Sequence, residues 1–144
     1  MSIKENKALA RKMNAEIWGE KNRDVIDEMI APDCVFHAGD RELRGPSGYQ
    51  TFFDAYVTAF LDLSIQINDL IAEGDAVVTT YTARGQHSGP LMNVDPTGKQ
   101  VEVSGVSILR FRDGKMVEGK TLWNEMSLMQ QLGVVPESVT RKPA

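Results

Sequence analysis

Apolar residues in the first third of the chain recur at the spacing of an α-helix. One stripe, with intervals of seven, three and four residues, consists of Ile3, Ala10, Met13 and Ile17. Gly19 and Asn22 interrupt this pattern, and Asn22 is a suitable N-cap for a short second helix. Pro32 is predicted to end that helix, because the residue before a proline avoids helical backbone angles.

A strand and a third helix are predicted next along the chain. Residues 34–38 have the composition of a strand, and Gly39 and Asp40 then form a turn. The third helix begins within residues 44–60, where Pro46 suits a first helical turn. Its wide aromatic face consists of Phe52, Phe53, Tyr56, Ala59 and Phe60.

From residue 63 onward the hydrophobic period changes to two, which is typical of β-strands. The pattern predicts four long strands, at residues 63–72, 76–87, 100–112 and 116–123. The alternation slips at residues 68–69, which indicates an irregularity in the first of them. Hairpin signals stand at residues 73–75 and at the Asp-Gly pair of residues 113–114.

The chain closes with a short helix over residues 125–132, ended by Gly133, and a mobile tail over residues 134–144. Helices followed by a meander of long antiparallel strands predict a single α+β domain across the 144 residues, with a core over about residues 5–133. A curved sheet covered by helices on one face leaves a concavity where a small ligand binds. The long loop over residues 88–99 either serves function or caps the sheet.

The net charge and the absence of targeting or membrane-spanning segments in the sequence argue against several classes of protein. The net charge is −4 and no basic stripe is present, which argues against nucleic acid and anionic membranes as partners. The N-terminus lacks the apolar core of a signal peptide, and no stretch has the length of a membrane helix. A soluble, cytoplasmic protein is therefore expected. Cys34, the only cysteine, lies in an apolar run and is interpreted as a buried thiol, and no zinc-ligand spacing occurs.

The strand over residues 76–87 has one face that is more apolar than the other. This face, placed inward, consists of Val77, Thr79, Tyr81, Ala83, Gly85 and His87. Tyr81 and His87 are therefore predicted on the pocket side. His87 acts there as an acid or base, or closes the sheet edge through a backbone hydrogen bond, and the pattern favours neither.

Other candidate pocket residues carry a structural interpretation beside the functional one. His37 shares a face with Val35 and is either a structural histidine, which its apolar face slightly favours, or a pocket residue. The aromatic residues at helical spacing either line a pocket or pack in the core, which is the more common role. They are Trp18, Tyr49, Phe53 and Tyr56.

The alternation of side chains along the last strand does not decide which of its two faces points inward. One face carries Glu118, Lys120, Leu122 and Asn124. The other carries Val117, Gly119, Thr121 and Trp123. The residue types alone favour an outward position for the face that carries Glu118 and Lys120, because charged side chains are seldom buried.

Several short motifs together resemble the SnoaL-like polyketide cyclase family, within the nuclear transport factor two-like superfamily. The stretch "GQHSGPLMNVDPTGKQVEVSGVSILRFRDGKMVE", followed by "WNEMSLMQQLG", carries them in order. They are Gly-x-His-x-Gly at 85–89, Pro-Thr-Gly-Lys at 96–99, Asp-Gly-Lys at 113–115 and Gln-Leu-Gly at 131–133. With "CVFHAG" and the helical start, the resemblance covers about residues 5–133.

The resemblance implies a cone-shaped α+β barrel, in which three N-terminal helices and a strongly curved antiparallel sheet enclose one deep pocket. It also implies a homodimer through the outer sheet face, a small-molecule substrate, and no metal or organic cofactor. The family's catalytic Asp follows a Trp before the last helix, which maps onto Trp123 and Asn124. On this mapping Asn124, and with it Lys120, faces the pocket. Asn124 cannot take a proton but can donate a hydrogen bond.

Three hypotheses follow from the resemblance and the residues. In the first, a cofactor-free cyclase or isomerase uses His87 or Lys120 as the base, while Asn124 stabilises an enolate. Substrate-binding candidates are His37, Trp18, Phe53, Tyr56, Tyr81, Glu118 and Trp123. The second hypothesis is a non-catalytic binding module, which the missing Asp favours. The third is a cofactor-independent oxygenase.

Overall fold

The computed structural model of the chain describes residues 2–134. Its helices are α1 (Ile3–Met13), a π-helix (Asn14–Gly19), α2 (Val25–Met29), α3 (Gly45–Ala59) and α4 (Glu125–Leu132). Its strands are β1 (Ile30–Ala38), β2 (Arg41–Arg44), β3 (Ser64–Glu73), β4 (Ala76–Gln86), β5 (Gln100–Arg112) and β6 (Lys115–Trp123). The predicted α+β fold class is confirmed. The predicted mobile tail lies outside the described residues, apart from Val134.

The N-terminal helical segment extends from Ile3 to Gly19, where the sequence pattern predicted a break. Ser2 and Glu5 form a capping box, in which each side chain accepts a hydrogen bond from the other residue's backbone N–H. The segment continues from α1 directly into the π-helix. The predicted N-cap role of Asn22 is wrong, because α2 follows Asp24 and the Asn22 side chain instead accepts from the Asp24 N–H at 3.2 Å. Pro32 does not end a helix, since it already lies in β1.

All six strands form one curved, unclosed sheet in the order β2-β1-β6-β5-β4-β3. The predicted meander of antiparallel strands is confirmed for β3 to β6, whereas β1 runs parallel to β6. The short strand β2, which no sequence pattern indicated, pairs with β1 after the predicted turn at residues 39–40. The irregularity predicted in β3 is confirmed as a register shift between Ile67 and Asp69.

The two predicted hairpins have turn residues with left-handed backbone angles. Gly74 between β3 and β4 has φ of 58°. Asp113 and Gly114 between β5 and β6 have φ of 52° and 80°, as a two-residue type I′ turn requires. These turns fix the register of β3 to β6, and with it the side of the sheet on which each side chain lies.

The helices cover one face of the sheet and build the core against it. Buried side chains come from both layers, for example Ile17 and Ile26 from the helices and Val77 and Met116 from the strands. The opposite face of β3 to β6 carries exposed residues, including Ile71 and Leu122. We call these two surfaces the inner face and the outer face of the sheet.

Candidate functional site

A cavity of about 150 Å³ lies between the helices and the inner face of the sheet. Its lining is predominantly apolar and aromatic. All three tyrosines and both tryptophans of the chain contribute to it, namely Tyr49, Tyr56, Tyr81, Trp18 and Trp123. The inner face predicted for β4 is confirmed, because Thr79, Tyr81, Ala83 and Gly85 also line this cavity.

The π-helix holds one wall of the cavity in place. Asn14 and Trp18, which both line the cavity, are anchored by their side-chain N–H groups: Asn14 donates to the Ile65 carbonyl and Trp18 to the Tyr49 hydroxyl, each at 3.0 Å. Lys21 donates from Nζ to the Trp18 carbonyl at 2.8 Å and also to the Leu63 carbonyl. Burial lowers the pKa of Lys21, against the effect of Asp62. A π-helix often marks a functional region, and here it positions Trp18.

The aromatic side chains of α3 form a second wall. Phe52 packs against Phe36 at 5.3 Å and against Tyr56 at 5.1 Å between ring centroids. Trp123 closes this wall against Tyr56 at 5.5 Å. Phe53, predicted to bind substrate, does not line the cavity, because its ring is buried behind Trp18 at 5.2 Å.

A cluster of three hydroxyl groups lies on the sheet at the base of this apolar space. The Tyr81 and Thr121 hydroxyls are 2.7 Å apart, and Ser107 donates to Thr121 Oγ1 at 3.0 Å. Two proton arrangements fit this geometry. Thr121 donates to Tyr81, which leaves the Tyr81 proton free to point into the cavity, or Thr121 donates to the Val106 carbonyl at 3.4 Å and Tyr81 donates to Thr121. Sequence reasoning missed Ser107 and Thr121, although alternation along β5 and β6 could have indicated both.

Burial keeps the cavity tyrosines in their neutral form. It raises the pKa of Tyr56 to about 12, and Glu125 adds to this effect while Arg41 opposes it. Burial also raises the pKa of Tyr49 and of Tyr81, while the neighbouring Thr121 and Ser107 hydroxyls act to lower the pKa of Tyr81. Near neutral pH these groups are therefore hydrogen-bond donors rather than bases.

The face of β6 that the resemblance placed inward is the outer face. Glu118, Lys120 and Leu122 are exposed, whereas Thr121 and Trp123 line the cavity. The reason lies at Gly119, where a Cβ atom would come within 2.9 Å of the Phe36 ring. The inner side is thus filled by neighbouring side chains, and the charged residues reach solvent. The predicted pocket positions of Lys120 and Glu118 are wrong.

Asn124 lies at the start of α4, outside the cavity lining. It is exposed, and its side-chain oxygen accepts a hydrogen bond from the Ser127 N–H at 3.0 Å. This is the geometry of an N-cap, which satisfies one of the free N–H groups of the helix. The prediction that Asn124 faces the pocket is therefore wrong, and its position gives it a structural role in α4.

His87 lies on the inner side, as predicted, but it does not line the cavity. It is fully buried, and its Nδ1 accepts from the Thr97 N–H at 3.1 Å. Because Nδ1 is an acceptor, the neutral ring carries its proton on Nε2. The ring packs on Phe60, and the His87 backbone bonds Lys99 and Gly98 across the loop. His87 thereby fastens the loop over residues 88–99.

His37 and Cys34 also lie away from the cavity. His37 is half-buried on the outer face, opposite Glu42 of β2 and Lys120 of β6, so its predicted pocket position is wrong. Cys34 is buried, as predicted, and burial raises the pKa of its thiol to about 11. Within residues 2–134 no group of three His, Cys, Asp or Glu side chains could hold a metal ion. No helix in the same part of the chain is long and apolar enough to cross a membrane.

The helices and the curved sheet form a nuclear transport factor two-like fold, which a solved structure describes as ketosteroid isomerase-like. Among proteins with this fold, the chain belongs to the SnoaL-like polyketide cyclase family, which its sequence matches over residues 8–132. No functionally curated protein matches the sequence.

Solved structures with the same fold include both hydroxylase-like and cyclase-like proteins. AclR, a proposed hydroxylase from Streptomyces galilaeus, is 33% identical with a TM-score of 0.84, over 94% of this chain and 100% of AclR. IdmH, a proposed polyketide cyclase from Streptomyces antibioticus, is 29% identical with a TM-score of 0.77, over 90% of this chain and 99% of IdmH. A SnoaL-like protein from Jannaschia sp. CCS1 is 24% identical with a TM-score of 0.86, over 94% and 97%.

Proposed function

We propose that the cavity binds an aromatic, carbonyl-containing molecule and stabilises its enolate. The observation that carries this proposal is the cluster of Tyr81, Thr121 and Ser107 hydroxyls at the base of an otherwise apolar space. A hydrogen-bond donor in a water-poor site favours an oxygen on which negative charge develops. Neighbouring hydroxyls that donate in sequence polarise one another, which strengthens the final donor.

The volume of the cavity supports a ligand that inserts one ring. A cavity of about 150 Å³ lined by apolar side chains is large enough for benzene in another protein. The cavity here has a similar volume, so a larger molecule extends beyond it. Aromatic walls at Trp18, Phe52 and Trp123 suit a flat ring.

The residues that line the cavity support hydrogen-bond donation to the substrate rather than removal of a proton by a side chain. Among the described residues, the only charged group in the lining is Arg84, which is paired with Glu102 and cannot act as a base. The substrate proposed is therefore a ketone with an acidic α-carbon, whose proton leaves to water. Tyr81 then donates to the enolate oxygen. The similarity to IdmH, a proposed polyketide cyclase, supports a cyclase reaction.

A second candidate function is oxygenation of the same type of substrate. The specific observation in its favour is the 33% identity to AclR, a proposed hydroxylase. An enolate held in an apolar cavity is the reactant common to both chemistries, so the two candidates use the same binding site. Oxygen uptake during turnover separates them.

The test uses 2-tetralone, a two-ring ketone with acidic α-protons, in D2O. We expect the protein to accelerate α-proton exchange, followed by NMR, and Tyr81→Phe to reduce this acceleration about a hundredfold. Thr80→Val, which removes a hydroxyl from the outer face of the same strand, serves as the control and retains the acceleration. Binding of 2-tetralone without exchange or oxygen uptake would indicate a non-catalytic binding module.

We also propose that the chain forms a homodimer through the outer face of the sheet. Val106 and Leu122 are 45% and 63% exposed and lie opposite each other on β5 and β6. Ile71, 64% exposed, continues this apolar surface on β3. Contiguous exposed apolar surface is typical of interfaces, and a two-fold axis would bring two such surfaces together.

Light scattering after size exclusion tests the dimer. We expect the unmodified chain to elute as a dimer and Leu122→Glu to elute as a monomer. Leu61→Glu introduces the same charge at a residue that is 70% exposed and lies between α3 and β3, so it should leave the dimer intact. A monomeric unmodified chain would refute the proposal.

A further inference from the structure

A second cavity, of about 380 Å³, adjoins the first at Tyr56, which lines both. Its walls come from the start of β2, from α3 and from the loop over residues 88–99. They include Arg41, Asp54, Tyr56, Pro90, Leu91 and Met92. The first cavity has room for about one ring, and Tyr56 is the wall that the second cavity shares with it.

The loop that forms one wall of the second cavity is fastened to α3. The Ser88 and Gly89 N–H groups both donate to the Ala59 carbonyl, at 2.9 and 3.0 Å. Gly89 lies so close to α3 that a Cβ atom would come within 2.2 Å of the Thr58 carbonyl oxygen. The wall at Pro90 and Leu91 is therefore a fixed part of the fold, and the second cavity is a built feature of it.

The charges around the second cavity leave one cation available. Asp54 is engaged by Arg23, which donates to both carboxylate oxygens at 3.0 and 3.2 Å. Within residues 2–134 the Arg41 guanidinium has no hydrogen-bond or ion-pair partner. Burial and the charge of Glu125 raise the pKa of Tyr56, and the charge of Arg41 lowers it by less. The charges of Arg41 and Glu125 therefore both act on Tyr56, which lines both cavities.

We propose that the second cavity binds a carboxylate group of the ligand, held by Arg41, while an aromatic ring of the same molecule fills the first cavity. A guanidinium matches a carboxylate through two parallel N–H donors. Glu125 opposes an anion at this position and therefore limits its affinity. This inference rests on the proposed function and assigns its substrate class, an aromatic keto acid.

The test compares 4-benzoylbenzoic acid with its uncharged amide, 4-benzoylbenzamide, by calorimetric titration at low salt. Both probes carry a terminal ring, a ketone and a second ring, and differ only in the charged group. We expect the acid to bind more tightly than the amide. Arg41→Gln should weaken binding of the acid about three- to tenfold and leave binding of the amide unchanged.

Two further variants sharpen this result. Arg44→Gln removes the same charge from β2 at a residue that is paired with Glu42 and lines neither cavity, so acid affinity should stay unchanged. Glu125→Gln should strengthen binding of the acid and leave binding of the amide unchanged. Equal effects of Arg41→Gln on acid and amide, or no preference for the acid, would overturn the carboxylate site, while binding of the amide would uphold ring binding in the first cavity. Because neither probe has an α-proton, the proposed function is judged separately by proton exchange of 2-tetralone. Failure of both probes to bind would overturn the carboxylate site alone.

Discussion

The inner and outer faces of the same three strands differ in chemical character. On the inner face, β4, β5 and β6 bring the hydroxyls of Tyr81, Ser107 and Thr121 together in an apolar cavity. Val106, which precedes Ser107, and Leu122, which follows Thr121, are exposed on the outer face. The chemical character of the site therefore depends on which residues of each strand point to the inner face, rather than on which polar residues the strands contain.

Glycine marks the inner face more reliably than polarity does. At Gly105 a Cβ atom would lie 2.3 Å from Tyr81 Cζ, and at Gly119 it would lie 2.9 Å from the Phe36 ring. Both glycines make room for a large neighbour that belongs to the cavity or its walls. Charged residues next to them, such as Lys120, consequently lie on the outer side.

The largest difference between the faces should appear on truncation of an inner aromatic ring. Phe52→Ala removes a buried ring that contacts Phe36, Tyr56 and Trp123, and should cost about 3–5 kcal/mol in the free energy of unfolding. Lys120→Ala on the outer face should change it by no more than about 0.5 kcal/mol. Urea unfolding measures both, and similar losses would contradict the assignment of the two faces.

A smaller effect is expected from adding one methyl group on the inner face. Gly105→Ala should displace the Tyr81 ring, cost about 1–3 kcal/mol in stability and weaken binding of 2-tetralone. Ser104→Ala, at the neighbouring residue on the outer face, is the control and should leave binding intact. Unchanged 2-tetralone affinity in Gly105→Ala would show that the Tyr81 position does not matter for the ligand.

The tyrosines should give the inner face a specific response to high pH. Folding raises the pKa of Tyr56 to about 12, so its stabilising effect is complete below the unfolded value near pH 10. That effect is lost as pH rises from about 10 to 12, at up to about 1.4 kcal/mol per pH unit for one tyrosine. Tyr56→Phe should make the pH dependence of unfolding shallower in this window. An unaltered slope would mean that Tyr56 is not buried.

The regular elements could be predicted from the sequence because their signals are local. The bounds of β5 and α4 match the prediction, since strict alternation, an Asp-Gly turn and Gly133 define them. The strand β2 has four mostly charged residues and carries no such signal. The parallel pairing of β1 with β6 joins strands far apart in the sequence, and no local pattern encodes it.

Trp18, Tyr56 and Trp123 were predicted to bind the substrate and line the cavity, whereas the inward face of a strand could be predicted only where that face was clearly more apolar. This condition held for β4, and the inner position of Tyr81 followed from it. On β6 both faces mix polar and apolar residues, so the choice depended on a family resemblance and was wrong. The role of His87 depends on its contact with Thr97, ten residues away, which sequence periodicity does not reveal.

The carbonyl carbon-13 NMR shift of labelled 2-tetralone tests the central claim most directly, because it reports hydrogen bonding to the ketone oxygen. We predict that the bound ketone keeps a shift at or downfield of its value in water in the unmodified chain. In Tyr81→Phe the bound signal should move upfield, towards the value in a hydrocarbon solvent. Identical shifts in the two proteins, or no bound signal in the unmodified chain, would contradict a ligand site at the hydroxyl cluster of the inner face.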